Sequence, residues 1–177
     1  MGSWEGRTFT NSWLALSLTL PEGSYIYTDE DMSLILGAGQ EILVNNGTYT
    51  DEQLEQGNII TIYDFMAALP DGQSSIQLVY ENTRYSARGK DMTAAQYLDE
   101  IAGQLTAISD IQAEVGEKET VELAGETYDK LSTTIDENMC QEFYCRRIGN
   151  RMATLTISFL PESQSMIDEI VEGIAAP

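Results

Sequence analysis

Along Arg151–Leu160, Arg151, Ala153, Leu155, Ile157 and Phe159 fall on one side of an extended chain, and Met152, Thr154, Thr156 and Ser158 fall on the other. This alternation predicts a strand with one face in a core and the other wetter or more lightly covered. Three similar stretches lead up to it, Thr120–Ala124, Thr127–Ile135 and Gln141–Arg147, with turns expected at Gly125-Glu126 and Gly149-Asn150. Pro161 ends the sheet, and a helix is expected from about Ser163 to Ile174.

Earlier in the chain, Trp13–Leu20 sets Leu14, Leu16, Leu18 and Leu20 against Ala15, Ser17 and Thr19, a first strand closed by Pro21-Glu22-Gly23. Thr28–Asn45 reads as a helix. Thr28 and Asp31 have capping-box spacing, and Met32, Ile35, Leu36, Gly39 and Leu43 line one side. Thr50 with Gln53 caps a short helix to about Gln56. Ile59–Leu69 is apolar on both faces except at Asp64, which predicts a central strand, joined through Pro70-Asp71-Gly72 to a strand over Ser75–Glu81. Asn82–Met92 shows no period and is expected to be a loop. Thr93, with Gln96, caps a helix whose stripe is Ala94, Tyr97, Leu98, Ile101, Leu105 and Ile108, and Asp110–Lys118 is expected to be a polar connection.

With no repeat and no long linker, this order of elements predicts a single α+β domain over 1–177, layered α/β/α: a mainly antiparallel sheet of about seven strands with amphipathic helices packed on it. Met1–Ser3 reads as an added remnant, and 1–8 as an added or disordered start.

Composition changes the picture in three ways. The 29 acidic and 9 basic side chains give a net charge of −20, which repels phosphodiester backbones and argues against nucleic-acid binding. The longest apolar run is too short for the ~18–20 residues of a membrane helix, so no transmembrane segment is expected. Histidine is absent, so neither a Ser-His-Asp triad nor a Cys-His pair can form, and none of Lys90, Lys118 and Lys130 stands in a Ser-x-x-Lys context. Two cysteines without histidine are too few for a structural zinc site in a monomer. If both lie on one strand, Cys140 and Cys145 are roughly 16 Å apart and point to opposite faces, so two free, buried or half-buried thiols are expected. No catalytic residues, metal or cofactor are expected.

The segments "SLTLPEGSYIYTDEDM", "IQLVYENTRY", "TAAQYLDEIAGQL", "VELAGETYDKLSTTI" and "FYCRRIGNRMATLTISFLPESQSMIDEIVEGI", in this order, resemble the PsbP-like fold, which is named for an extrinsic photosystem II subunit and shared with a Ran-binding nuclear-import factor. More narrowly, the chain is similar to small exported, often lipid-anchored proteins of Gram-positive anaerobes that start near a strand like Phe9-Thr10-Asn11. The resemblance implies a non-enzymatic, extracytoplasmic binding or accessory module, secreted or membrane-anchored in its full-length form. It supplies no site residues, and photosynthetic or nuclear roles do not follow from the fold.

Candidate ligand-binding residues come from the few cations: Arg84, Arg88 and Lys90 in one loop, and Arg146, Arg147 and Arg151 around one hairpin. Should loop and hairpin converge, they make a cationic spot on an anionic protein, suited to an anion or acidic partner. Two scattered groups of solvated arginines are the simpler reading. Asp64 has two readings as well, a carboxylate of raised pKa or an acid paired with arginine or lying at a sheet edge, and the second is preferred. Calcium at Asp29-Glu30-Asp31, or at Asn45-Asn46-Gly47 with Asp51-Glu52, is disfavoured against helix ends, and a dinucleotide-binding reading of Gly37-Ala38-Gly39, which lacks the third glycine and a preceding strand, is disfavoured against small residues that allow close helix packing. Tyr25, Tyr27, Tyr49, Tyr85 and Trp4 could stack on a saccharide or a protein partner, or simply pack. A hydrolase using paired carboxylates, acting on envelope or dietary saccharide, and a structural domain of an envelope assembly stand as alternative functions.

Overall fold

A computed structural model describes residues 1–36, 61–83 and 92–177. Three short strands, β1 (Ser3–Glu5), β2 (Thr8–Asn11) and β3 (Leu16–Thr19), form an antiparallel sheet of their own. After β4 (Tyr25–Ile26), a helix α1 is described over 29–36, and the rest of the helix expected to Asn45 lies outside the described residues, as does the Thr50–Gln53 cap. Next come β5 (Thr61–Ala68), β6 (Ser75–Asn82), α2 (Ala94–Ala107) and four consecutive strands: β7 (Ala113–Leu123), β8 (Glu126–Ile135), β9 (Met139–Ile148) and β10 (Arg151–Phe159). A 3-10 turn at Pro161–Ser163 leads into α3 (Gln164–Glu172).

Seven strands make the large sheet, in the order β4-β5-β6-β10-β9-β8-β7 and antiparallel at each pairing. The fold is therefore α+β, with a mainly antiparallel seven-stranded sheet. β10 lies at its centre, and its predicted faces are the real ones. Ala153, Leu155, Ile157 and Phe159 join the large core, which also takes Phe9, Leu16 and Leu18 from the small sheet, Leu14 and Leu20 from the chain flanking β3, and Ile167 and Ile170 from α3. Cys145, Met152 and Phe143, on the opposite face, join a smaller cluster under Ala94 and Leu98 of α2. The chain end closes the large core, because Ser17 and Ala175 exchange backbone hydrogen bonds of 2.7 and 3.0 Å.

Local sequence explains the element ends. Thr28 and Asp31 exchange the reciprocal bonds of a capping box at α1, and Thr93 and Gln96 do so at α2. The β7–β8 turn is Ala124-Gly125, one residue earlier than expected, with φ of 54° and 77°, as a two-residue hairpin whose twist matches its strands requires. At the β5–β6 turn, Asp71 accepts from the N–H groups of Gln73 (3.1 Å) and Ser74 (2.8 Å) and from the hydroxyls of Ser74 (2.5 Å) and Ser163 (2.6 Å). One carboxylate thus orders the turn and ties it to the start of α3. Burial opposes its charge, but the Ser163 and Ser74 hydroxyls and the two N–H groups outweigh that and hold its pKa well below the usual 3.8. A depressed folded pKa stabilises fully above the unfolded value and fades as pH falls toward the folded one. Asp71→Ala is expected to cost about 1–2 kcal/mol at pH 7, reduced from the sum of its bonds because the site is exposed to solvent. In urea melts the gap between variant and parent should narrow below about pH 4.

Four expectations are corrected. Ala113–Lys118 is not a polar connection but the first half of β7; as an edge strand exposed on both faces it leaves no alternation to read. The disordered start over 1–8 gives way to β1 and the beginning of β2, held by Trp4, whose ring centroid lies 5.2 Å from Phe9 and 5.3 Å from Phe65. The strand expected from Trp13 begins only at Leu16, since the chain turns between β2 and β3 with Ala15 at φ 54°. β5 is second from an edge, not central: apolar residues on both sides report covered faces, not position in the hydrogen-bonding order.

Candidate functional site

Where the amino end of α2 crosses β8 and β9, an open groove of ≈ 300 Å³ is lined by Ala94 of the helix, Glu126, Thr127, Tyr128 and Asp129 of β8, and Cys145, Arg146 and Arg147 of β9. Two of the six candidate cations are therefore brought to one feature. Successive strand residues project to opposite faces, so the neighbouring arginines make different contacts. Arg146 turns toward the large core: its Nη2 binds Glu126 Oε2 at 2.6 Å, its Nη1 donates to the Leu14 carbonyl at 3.1 Å, and its guanidinium sits 5.8 Å from the Tyr128 ring centroid. Arg147 turns toward α2, donating from Nε to the Gly149 carbonyl and from Nη1 to the Met92 carbonyl, each at 2.8 Å. Arg151 opens β10 opposite Ile148 and Asn82, outside the groove lining. Arg84, Arg88 and Lys90 lie outside the described residues.

Burial and hydrogen bonds fix the groove floor. Cys145 is fully buried, its Sγ 3.4 Å from Thr154 Oγ1, and burial pushes its thiol up to about 12 against the smaller opposing effect of the Thr154 bond. A thiol so held is protonated at neutral pH and a poor nucleophile. Cys140 is half-buried, and both cysteines are free. Glu126 and Asp129 are three residues apart on one strand and so face opposite ways, with Glu126 committed to Arg146. The neighbouring Tyr97 of α2 donates to Glu81, and burial first, then that carboxylate, raises its pKa far above the usual value.

Asp64 has a different role from either expectation. The β5 register shifts between Tyr63 and Phe65, so Asp64 stands at a β-bulge and turns out of the ladder. It accepts from the Gly2 N–H (2.8 and 3.1 Å), Asn11 Nδ2 (2.7 Å) and the Tyr80 hydroxyl (2.8 Å). Asn11, 1% exposed, also donates to Tyr80 (2.7 Å) and accepts from the Leu14 N–H (2.9 Å). The network pins the small sheet to the large one. Burial, then the bond and charge of Asp64, hold the Tyr80 hydroxyl protonated far past its ordinary range. An acid inside an apolar run was visible in the sequence; its partners, 16 to 62 residues away, were not.

Among the other expectations, Asp31 serves the α1 cap, its pKa lowered chiefly by the Thr28 backbone and hydroxyl. Tyr25 and Tyr27 pack edge to face at 5.2 Å with Tyr25 54% exposed, whereas Trp4 is packed against the core. Tyr49, Tyr85, the Gly37-Ala38-Gly39 stretch and the candidate calcium ligands at Asn45–Glu52 lie outside the described residues. No helix among the described residues is long and apolar enough to cross a membrane. The groove escaped sequence reading because Glu126, Tyr128 and Asp129 look like ordinary strand positions.

The arrangement of a large antiparallel sheet with helices packed on it is PsbP-like. The solution structure of cyanobacterial PsbP (CyanoP) from Synechocystis sp. PCC 6803 superposes on the whole chain (100% of this chain and 99% of that one) with a TM-score of 0.57 at 10% sequence identity. Also found were the crystal structure of LpqN, involved in cell envelope biogenesis of Mycobacterium tuberculosis (92% and 83% covered, TM-score 0.47, 11% identity), and a protein from Bacteroides thetaiotaomicron VPI-5482 (98% and 49%, TM-score 0.44, 12% identity). Compared by sequence, the chain matches no family model and no curated protein.

Proposed function

We propose that residues 1–177 form a single PsbP-like domain that works as a non-enzymatic binding or accessory module outside the cytoplasmic membrane, anchored to it in the full-length protein. The groove at the amino end of α2 carries this reading: it sets the Arg147 guanidinium, the exposed start of a capped helix and the Asp129 carboxylate around one polar opening. Such a lining suits recognition of a small ligand bearing a carboxylate or phosphate, with a hydrogen-bond donor placed toward Asp129. The absence of histidine and the inert Cys145 fit recognition better than turnover. Likeness to exported, lipid-anchored proteins supports the location. Arg151, at the start of β10, is proposed as a secondary contact, and Arg84, Arg88 and Lys90, which lie outside the described residues, stay candidates on the sequence alone.

A thermal-shift screen with phosphate, amino acids, peptidoglycan fragments, saccharides and calcium tests the ligand. At about 100 times its dissociation constant, a ligand stabilises by ~2.7 kcal/mol, or roughly 5–10 °C for a domain of this size. A shift confined to anionic compounds and lost in Arg147→Ala is the expected result, and a shift indifferent to that substitution removes the groove from the proposal. Fractionation of the full-length protein in its source cells should place it with the membrane, open to added protease.

A further inference from the structure

A second surface, apart from the groove, is the β7 edge of the large sheet. β7 is the longest described strand, eleven residues, and among the described residues only β8 pairs with it. Every position from Glu114 to Thr120 is exposed, and beyond the register shift between Val115 and Lys118 the strand runs regularly from Lys118 to Leu123. Each second residue of such an edge directs its N–H and C=O groups outward, where another strand can pair with them. Natural edges are kept from indiscriminate pairing by shortness, bulges, cover or charge; this one is long, carries a single bulge near its beginning and is guarded by charge. Its side chains are strongly one-sided in charge. Glu114, Glu117, Glu119 and Glu122 stand against Lys118, whose ammonium is already held by Asp99 at 2.5 Å and the Ala95 carbonyl at 3.2 Å. A second copy of this chain is a poor occupant, because it would set glutamates against glutamates in a protein of net charge −20.

We propose that β7 takes up an extended, lysine- or arginine-rich segment of a partner protein as an eighth strand, through main-chain pairing along Lys118–Leu123 and charge pairing with Glu119 and Glu122. These two glutamates lie on opposite faces of the strand, so a segment whose basic side chains share one face finds a carboxylate whichever face that is. Main-chain pairing supplies register and the acidic flanks select the partner.

The probe is a capped seven-residue peptide alternating lysine with threonine and valine, titrated into the intact 177-residue protein by calorimetry. Two N-methylated versions separate strand addition from charge attraction, one methylated at the lysines and one at the intervening residues. In an added strand only one of these sets points its N–H groups at the edge. Binding should weaken at least tenfold with one methylated peptide and change less than about twofold with the other. Glu119→Lys/Glu122→Lys should weaken the parent peptide at least tenfold with the fold retained in circular dichroism, at some cost in melting temperature because Lys130 lies opposite position 119, and backbone amides of β7 should gain protection from hydrogen exchange when peptide is added. Equal binding of both methylated peptides, protection elsewhere, no binding at millimolar peptide, or sedimentation showing a dimer lost in the double variant would each overturn the proposal.

Discussion

Phe65→Ala is expected to destabilise the protein by about 3–5 kcal/mol, the usual loss when a buried phenylalanine is truncated. Phe65 is 1% exposed, and its ring centroid lies 4.6 Å from Phe9 and 5.3 Å from Trp4, so it fills the junction where β1 and β2 meet the large sheet. Beyond the transfer and cavity costs, the change removes two aromatic contacts that, beside the Asp64 network, hold β1 and β2 on the large sheet. A specific pattern should follow. Amide exchange in β1 and β2 should accelerate more than in β10, because the short strands can open without the centre of the large sheet. Phe65→Leu, which keeps most of the volume, should recover more than half of the loss in chemical denaturation. Uniform acceleration across both sheets would mean that they unfold as one unit.

Glu142→Ala carries the second large effect, about 2–4 kcal/mol. Glu142 accepts from Lys130 Nζ at 2.8 Å and from the Tyr144 hydroxyl at 2.5 Å, while Lys130 also sits 5.2 Å from the Tyr144 ring centroid. Truncation strands the ammonium and the hydroxyl together in a site where the ion pair's side chains are only 19% and 12% exposed. That residual exposure lets Lys130 reach water in part, which sets the expectation below the loss for a fully buried pair. Replacing both partners, Lys130→Met with Glu142→Leu, should cost less than Glu142→Ala alone, since it removes the pair's desolvation cost along with its attraction and leaves only the Tyr144 hydroxyl without its acceptor. A double-mutant cycle in urea measures the coupling, and additive losses would show that the pair contributes nothing beyond its separate contacts.

Much of the architecture was legible in the sequence because it is written in local rules. The alternation in β10, the capping pairs Thr28/Asp31 and Thr93/Gln96, and the turn at Gly149 all act within a few residues, and each recurs in the structure. The candidate site was half legible. Arg146 and Arg147 do reach one groove, but strand alternation sends them to opposite faces and binds each to carbonyls of other segments, which spacing alone does not show. Asp64 stood out as an oddity, yet its function as the pin between two sheets depends on Gly2, Asn11 and Tyr80 arriving from elsewhere in the chain.

By itself, then, the sequence determined the type and limits of most elements, the antiparallel character of the sheet, the free thiols and the exclusion of histidine chemistry, because side-chain period, caps, turn residues and composition act locally or on the whole chain at once. Only the tertiary structure decided that β10 is central and β7 is an edge, that the first residues build a second sheet, and that a polar groove opens beside α2. Strand order and burial of polar groups are settled by which distant surfaces fit together. A strand with both faces in water, like Ala113–Lys118, carries no hydrophobic record of the place it takes.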